Sequence, residues 1–147
     1  MMIKDDVFFL IKHLSKCVEL TFDKEANKLG LTPQQGRLLS FLVKKKSANE
    51  EVRQIDIEQR FDLSKSTVSG LVKRMECKKL IYKEKIKNKI IILPTKEGEE
   101  LIKTFKLKID SIKQNIIKDL SEKEKEEMIM ILNKVLENLK KEGEAHV

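Results

Sequence analysis

The segment 54-QIDIEQRFDLSKSTVSGLVKRMECKKLI-81 holds two short apolar periodicities separated only by Asp62 and Leu63. In the first, within 53-RQIDIEQRF-61, Ile57 and Phe61 stand one helical turn apart and anchor a short helix. The second opens at Ser64, a residue that caps helix N-termini, and places Val68, Leu71, Val72 and Met75 at i, i+3, i+4 and i+7. That face is committed to a core. The opposite face carries Lys65, Ser66, Ser69, Gly70, Lys73 and Arg74, with Thr67 at its edge. Two short helices joined by a tight turn, the second presenting hydroxyls and cations near its N-terminus, predict a helix-turn-helix. Hydroxyls and backbone amides suit phosphates, and small side chains let a helix sit deep in a major groove.

Gly70 is the residue in this helix that needs a reason. A glycine inside a helix costs about 1 kcal/mol relative to alanine. Either the cost is tolerated, with or without close backbone packing, or Gly70 lies on the nucleic-acid face and lets the helix approach without a bulky side chain. The second reading leaves Ser66, Thr67, Lys73 and Arg74 to make the contacts.

The sequence that follows, 81-IYKEKIKNKIIILPT-95, alternates, breaks at Lys87-Asn88 and resumes with the β-branched run Ile90 to Ile92. This predicts a β-hairpin with Lys85, Lys87 and Lys89 crowded at its tip. A basic hairpin directly after a recognition helix is the wing of a winged helix. Its lysines also serve to keep a hairpin edge soluble and unpaired.

Upstream, Val7, Leu10, Ile11, Leu14, Cys17, Val18 and Phe22 make a 3.6-residue stripe on a helix expected from Asp5 to Leu29, with Gly30 as its stop. A second helix starts at 32-TPQQ-35, where Thr32 caps, Pro33 fits the first turn and Gln35 can reach back to the cap amide. It runs to about Lys45, with Leu38, Leu39, Leu42 and Val43 available for burial, before the polar loop 44-KKKSANEE-51. Downstream, Thr95 caps a long helix whose apolar side includes Leu101, Ile102, Phe105, Ile109, Ile112, Ile116 and Leu120. The capping box 121-SEKE-124 opens a last helix with Met128, Ile131, Leu132, Val135, Leu136 and Leu139. These terminal helices carry more apolar surface than a small DNA-binding lobe can cover, so a second copy of the chain is the expected partner. A twofold dimer would offer two recognition helices to successive major grooves of a pseudo-palindromic site.

Composition agrees. The 147 residues carry 37% charged and 40% hydrophobic side chains with 5 Gly and 2 Pro, which favours long helices in one domain. Between Asp62 and Lys96 lie ten cations and three acids, a local excess of +7 that equals the net charge of the whole chain. Such concentration is the footprint of a surface that meets a polyanion. The sequence holds no apolar run long enough to span a bilayer, and MMIKDDVFFLIKHL resembles neither a signal peptide nor a transit peptide. A cytoplasmic location is expected. Cys17 and Cys77 have neither the number nor the spacing of a disulfide framework or a structural zinc site. With no glycine-rich phosphate loop, nucleophile motif or paired histidine and carboxylate constellation, an enzyme is not expected, and no cofactor or metal is implied.

The succession of helix, capped helix, helix-turn-helix, basic wing and two long helices resembles the multiple-antibiotic-resistance regulator (MarR) family of bacterial transcription factors over essentially the whole chain. The segments that carry the resemblance are 31-LTPQQGRLL-39, 54-QIDIEQRFDLSKSTVSGLVKRMECKKLI-81, 93-LPTKEG-98 and 120-LSEKEKEEM-128. It implies a mainly α fold with a small β-hairpin wing, a winged helix-turn-helix flanked by N- and C-terminal dimerisation helices. On that reading residues 1–147 are one domain, with a DNA-binding lobe over 31–95 and a helical dimerisation region from 1–30 and 96–147. The family binds operator DNA near promoters as a homodimer, often under a small-molecule or redox signal, and a repressor is expected here.

Carried over by position, the resemblance implies that Ser66, Thr67, Ser69, Lys73 and Arg74 face bases and phosphates. Ser64 and Lys65 would meet the backbone at the helix start, and Gln54 would touch phosphate. The chain departs from the family at the wing, where an Asp-x-Arg is usual and Lys87-Asn88-Lys89 stands instead, and at Gly70, where many relatives carry arginine. Lysine is a hydrated point charge rather than a planar fork, so the wing, with Lys85, Lys87, Asn88 and Lys89, is expected to attract phosphate more than to read groove width. Family ligands commonly lodge among the first, second and fifth helices. His13 and Cys17, four residues apart, could share a face as a signal-sensing pair, although a cysteine in an apolar stripe is ordinarily buried and inert. The competing reading is a winged-helix module that binds protein and has no specific DNA site.

Overall fold

A computed structural model describes residues 6–143. The chain forms α1 (Val7–Lys28), α2 (Pro33–Ser47), α3 (Gln54–Phe61), α4 (Lys65–Cys77), β1 (Ile81–Ile86), β2 (Lys89–Pro94), α5 (Lys96–Ile117) and α6 (Glu122–Lys141). Mainly helical architecture with one antiparallel hairpin is what the sequence predicts. Asp5, taken above as the start of the first helix, lies outside the described residues. The chain divides into two compact units, one ending at Ile109 and one beginning at Asp110, and α5 contributes to both.

Helix starts are set by side chains that satisfy otherwise unpaired amides. The Asp6 carboxylate accepts from the Phe8 amide at 2.8 Å. Thr32 and Gln35 form a reciprocal capping box with Pro33 in the first turn, and Ser121 and Glu124 form another. Ser64 accepts from the Thr67 amide at 3.2 Å. Gly30, with φ +77°, follows the end of α1 as expected of a helix stop.

The core of the first unit is built on α2 and α4. Leu38, Leu39, Leu42, Val68, Leu71, Val72 and Met75 are all buried, joined by Ile57 of α3, Ile81 and Ile92 of the hairpin and Ile102 of α5. Full burial of such side chains is worth about 1.5–3 kcal/mol each, which fixes the orientation of α4. The stripe on α1 behaves differently: Ile11, Val18 and Phe22 are half-buried and Val7, Leu10 and Leu14 exposed, and the buried residue of the helix is Ala26, outside the stripe.

β1 and β2 pair from Ile81↔Pro94 to Ile86↔Lys89 around the two-residue turn Lys87–Asn88, the break expected from the sequence. The Ile92 amide also donates to the Val52 carbonyl at 2.8 Å, tying the approach to α3 onto the hairpin. At the hairpin base, Thr95 donates through its amide to the Leu80 carbonyl at 2.9 Å and through Oγ1 to the Lys79 carbonyl at 2.7 Å. Thr95 Oγ1 then accepts from the Gly98 amide at 3.0 Å, capping α5. A Cβ on Gly98 would overlap the Leu80 carbonyl oxygen. Glycine there lets α5 begin directly against the root of the wing.

Candidate nucleic-acid interface

Asp62, at φ 51° and ψ 53°, turns the chain from α3 into α4, and the Leu63 amide closes on the Glu58 carbonyl at 3.0 Å. With Val68, Leu71, Val72 and Met75 buried, the remaining positions of α4 are turned outward. Ser64, Lys65, Ser66, Thr67, Ser69, Lys73 and Arg74 are all exposed. At the helix start, Ser64 Oγ donates to Thr67 Oγ1 at 2.8 Å and lies 3.2 Å from Ser66 Oγ. The hydroxyls thus gather where the helix dipole and free amides favour an anion. Gln54 Nε2 donates to Ser69 Oγ at 2.8 Å, so the first residue of α3 braces the middle of α4.

The sequence cannot show which cations are already engaged. Lys83 pairs with Glu76 of α4 at 3.7 Å, and Lys89 pairs with Glu51 at 2.7 Å. Lys78 Nζ donates to the Gly30 carbonyl at 2.7 Å and to Gln35 Oε1 at 2.8 Å. Among the described residues, Lys65, Lys73, Arg74, Lys85 and Lys87 form no ion pair. Lys85 shares a face of β1 with Lys83, and both Asn88 and Lys87 are exposed at the tip. Gly70 is half-buried because the Arg74 guanidinium lies over it, with Nη1 3.3 Å from where a Cβ would stand. That contact was not legible in the sequence, although the i, i+4 spacing permits it.

A separate cavity of about 510 Å³ opens among α1, α2, α3 and α5, lined by Phe22, Gly36, Phe41, Arg60, Phe61 and Phe105 among others. The Arg60 guanidinium lies 6.0 Å from the Phe41 ring centre and 5.8 Å from that of Phe61. Asp23 and Arg37 face each other at its edge, 3.8 Å apart. His13 and Cys17 do not line it. Both are exposed on α1, so Cys17 is not the buried thiol that its place in an apolar stripe led one to expect. His13 packs against the Phe9 ring at 5.6 Å. Among the described residues no group of three or more His, Cys, Asp or Glu side chains is placed to hold a metal ion, and no helix is long and apolar enough to cross a membrane.

Residues 29–88 match the MarR family model. A search of the curated proteins found no match. Among solved structures, the chain is 28% identical to MepR, a transcription regulator of the Staphylococcus aureus multidrug efflux pump MepA, covering 91% of this chain and 98% of that one with a TM-score of 0.82. The S. aureus MepR–DNA complex is similar at 28% identity, 92% and 98% coverage and a TM-score of 0.70. The transcription regulator MarR from Oenococcus oeni PSU-1 is 29% identical, with 92% and 99% coverage and a TM-score of 0.64. The fold and these matches agree: residues 29–88 match the MarR family model, and the chain is similar over nearly its whole length to winged-helix transcription regulators of that family.

Proposed function

We propose that this protein is a homodimeric transcriptional repressor of the bacterial cytoplasm that binds a pseudo-palindromic operator through α4 and the wing. The observation that carries this reading is the set of unpaired cations, Lys65, Lys73, Arg74, Lys85 and Lys87, displayed with the hydroxyls of Ser64, Ser66 and Thr67 around one exposed helix face and its adjoining hairpin. Similarity to a protein solved with DNA supports it. Ser69 and Gln54, bonded to each other, would meet the phosphate backbone together. Lys89 and Asn88 would contribute to the wing, Lys89 after release from Glu51.

Residues 31–95 would form the DNA-binding lobe, and 1–30 with 96–147 would supply the dimerisation surface. Exposed Val7, Phe8 and Leu14 on α1, and exposed Ile129, Met130 and Ile131 on α6, provide apolar area for a second copy. The aromatic cavity would take a small effector, and His13 with Cys17 would be a less central signal site.

The test is binding of the purified chain to genomic fragments at several salt concentrations. A selected fragment should bind with an affinity that falls steeply with salt, the slope reporting the phosphates neutralised. Affinity that stayed flat between low and moderate salt, or absence of any preferred fragment, would sink the repressor reading and favour a protein-binding module.

A further inference from the structure

We propose that Gly70 and Arg74 act as one guanine-reading element, with Gly70 as the specificity-determining vacancy that places the Arg74 fork. The proposal deepens the DNA-binding reading of α4 and rests on it.

A helix turns about 100° per residue, so the buried set Val68, Leu71, Val72 and Met75 defines the line farthest from the core. That outermost line runs through Ser66, Gly70, Lys73 and Cys77. Ser69 lies on one flank, where Gln54 holds it, and Arg74 starts on the other. From a flank, a long side chain would reach the wall of a groove, where the phosphates are. Arg74 instead lies back across the outermost line. A Cβ at Gly70 would stand 3.3 Å from Nη1 and 3.9 Å from both Cζ and Nη2, so the guanidinium occupies the space that any side chain at 70 would claim. Arg74 forms no ion pair among the described residues, which leaves its donors free for a ligand.

A fork held on the crest of a groove-docked helix points at base edges. In the major groove guanine presents two adjacent acceptors, O6 and N7, which match two parallel N–H donors, while adenine pairs one acceptor with a donor. The glycine therefore has a purpose beyond close approach. It converts an arginine rooted on the helix flank from a phosphate contact into a base contact.

The experiment starts from duplexes selected out of a randomised library by the full-length wild-type chain. Each G·C pair of the selected site is then replaced by A·T, and affinities are measured for wild type, Arg74→Ala and Gly70→Gln across a salt series. For wild type, one guanine in each half-site should be worth between about 5- and 150-fold in affinity. In Arg74→Ala that preference should fall below about twofold while neighbouring preferences persist. Gly70→Gln keeps the arginine but fills the vacancy, and should lose the same guanine preference with an unchanged salt slope. Both positions face outward, and matching thermal melts would confirm folding. If Arg74→Ala weakens all duplexes equally and lowers the salt slope by about one, Arg74 contacts phosphate and the proposal is wrong. It is equally wrong if Gly70→Gln retains the preference. A wild-type chain that selects no sequence would overturn the DNA-binding reading itself, an outcome separate from a selected site indifferent to Arg74.

Discussion

Lys78 and Gln35 are joined at 2.8 Å, Nζ donating to the side-chain oxygen, although 43 residues separate them. Lys78 closes α4, and Gln35 belongs to the capping box of α2, its oxygen also accepting the Thr32 amide at 3.2 Å. The same ammonium holds the Gly30 carbonyl at 2.7 Å. The end of α4 is therefore fastened to the junction of α1 and α2, beside residues Ala26, Pro33 and Gly36 that line the aromatic cavity.

Lys78→Met keeps the aliphatic stem and removes three donors. It should lower stability by about 1 kcal/mol, read as a shifted urea midpoint at constant slope. Operator affinity should fall with no change in salt dependence, because Lys78 orients α4 and does not reach DNA. Lys73→Ala should do the reverse, leaving stability nearly unchanged and reducing the salt slope by about one. A reduced salt slope in Lys78→Met would show that its amine faces phosphate.

The two glycines with the closest neighbours should answer alanine with opposite signs. At Gly98 the obstacle is the Leu80 backbone carbonyl, which cannot move without opening the base of the hairpin. Gly98→Ala should cost about 1–3 kcal/mol, the range of a forced core or backbone clash. At Gly70 the obstacle is the far end of Arg74, which can shift by the few tenths of an ångström required. Gly70→Ala should raise stability by up to about 1 kcal/mol while lowering operator affinity. Thermal melts of the two variants settle the signs, and unchanged operator affinity in Gly70→Ala would make that glycine merely tolerated.

Lys79 and Lys87 both take left-handed backbone angles, with φ of 61° and 57°. Such angles cost a non-glycine residue about 1 kcal/mol. Lys79→Gly should therefore stabilise the fold by about 0.5 kcal/mol, the gain being trimmed by the greater freedom of glycine in the unfolded chain. A loss of stability on this change would mean that the lysine stem packs usefully at the turn between α4 and β1.

What the sequence made legible was local. Caps at Thr32, Ser64 and Ser121, the buried face of α4 and the break at Lys87–Asn88 all follow from short-range rules, and each stands where those rules put it. Contacts between distant segments were not legible. Lys78, Lys83 and Lys89 were counted with the excess charge of the DNA face, yet each has a partner outside its own element. Composition counts charges but cannot assign them, because ion-pair partners such as Glu51 and Lys89 are chosen by the fold. Gly98 was visible only as part of a family segment, since its reason is a carbonyl contributed from Leu80. The exposure of Cys17 also escaped, because periodicity marks an apolar face without saying what covers it.

Lys46 gives a prediction with a defined pH window. Glu99 accepts a hydrogen bond from its ammonium and raises its pKa above the ordinary 10.5, against a smaller opposing effect of desolvation. Because the folded-state pKa is the higher one, the pair's stabilisation is complete below the unfolded-state value and disappears as pH climbs through the folded-state value. Both side chains are substantially exposed, so the contribution is at most about 1 kcal/mol. The stability difference between wild type and Lys46→Gln should be flat from neutral pH to about 10 and vanish above the lysine range. A difference that grows with alkalinity would mean the pair is repulsive or misassigned.

The assembly has its own test in α6. No residue of that helix is buried within the single chain, and Met128, Ile129, Met130, Ile131 and Leu132 are between 39% and 59% exposed. Five consecutive residues at about 100° each sweep more than a full turn, so they cannot share one stripe, and water must be excluded from several sides at once. A second copy of the chain supplies that exclusion on the proposed reading. Ile131→Arg would put a charge into the covered surface and should shift the protein from twice the chain mass toward a single chain mass in sedimentation. Operator affinity should fall by well over tenfold, because two half-sites are then bound independently. Arg74→Ala, in contrast, should leave the mass at two chains. If wild type already sediments as one chain, the pseudo-palindromic operator loses its physical basis.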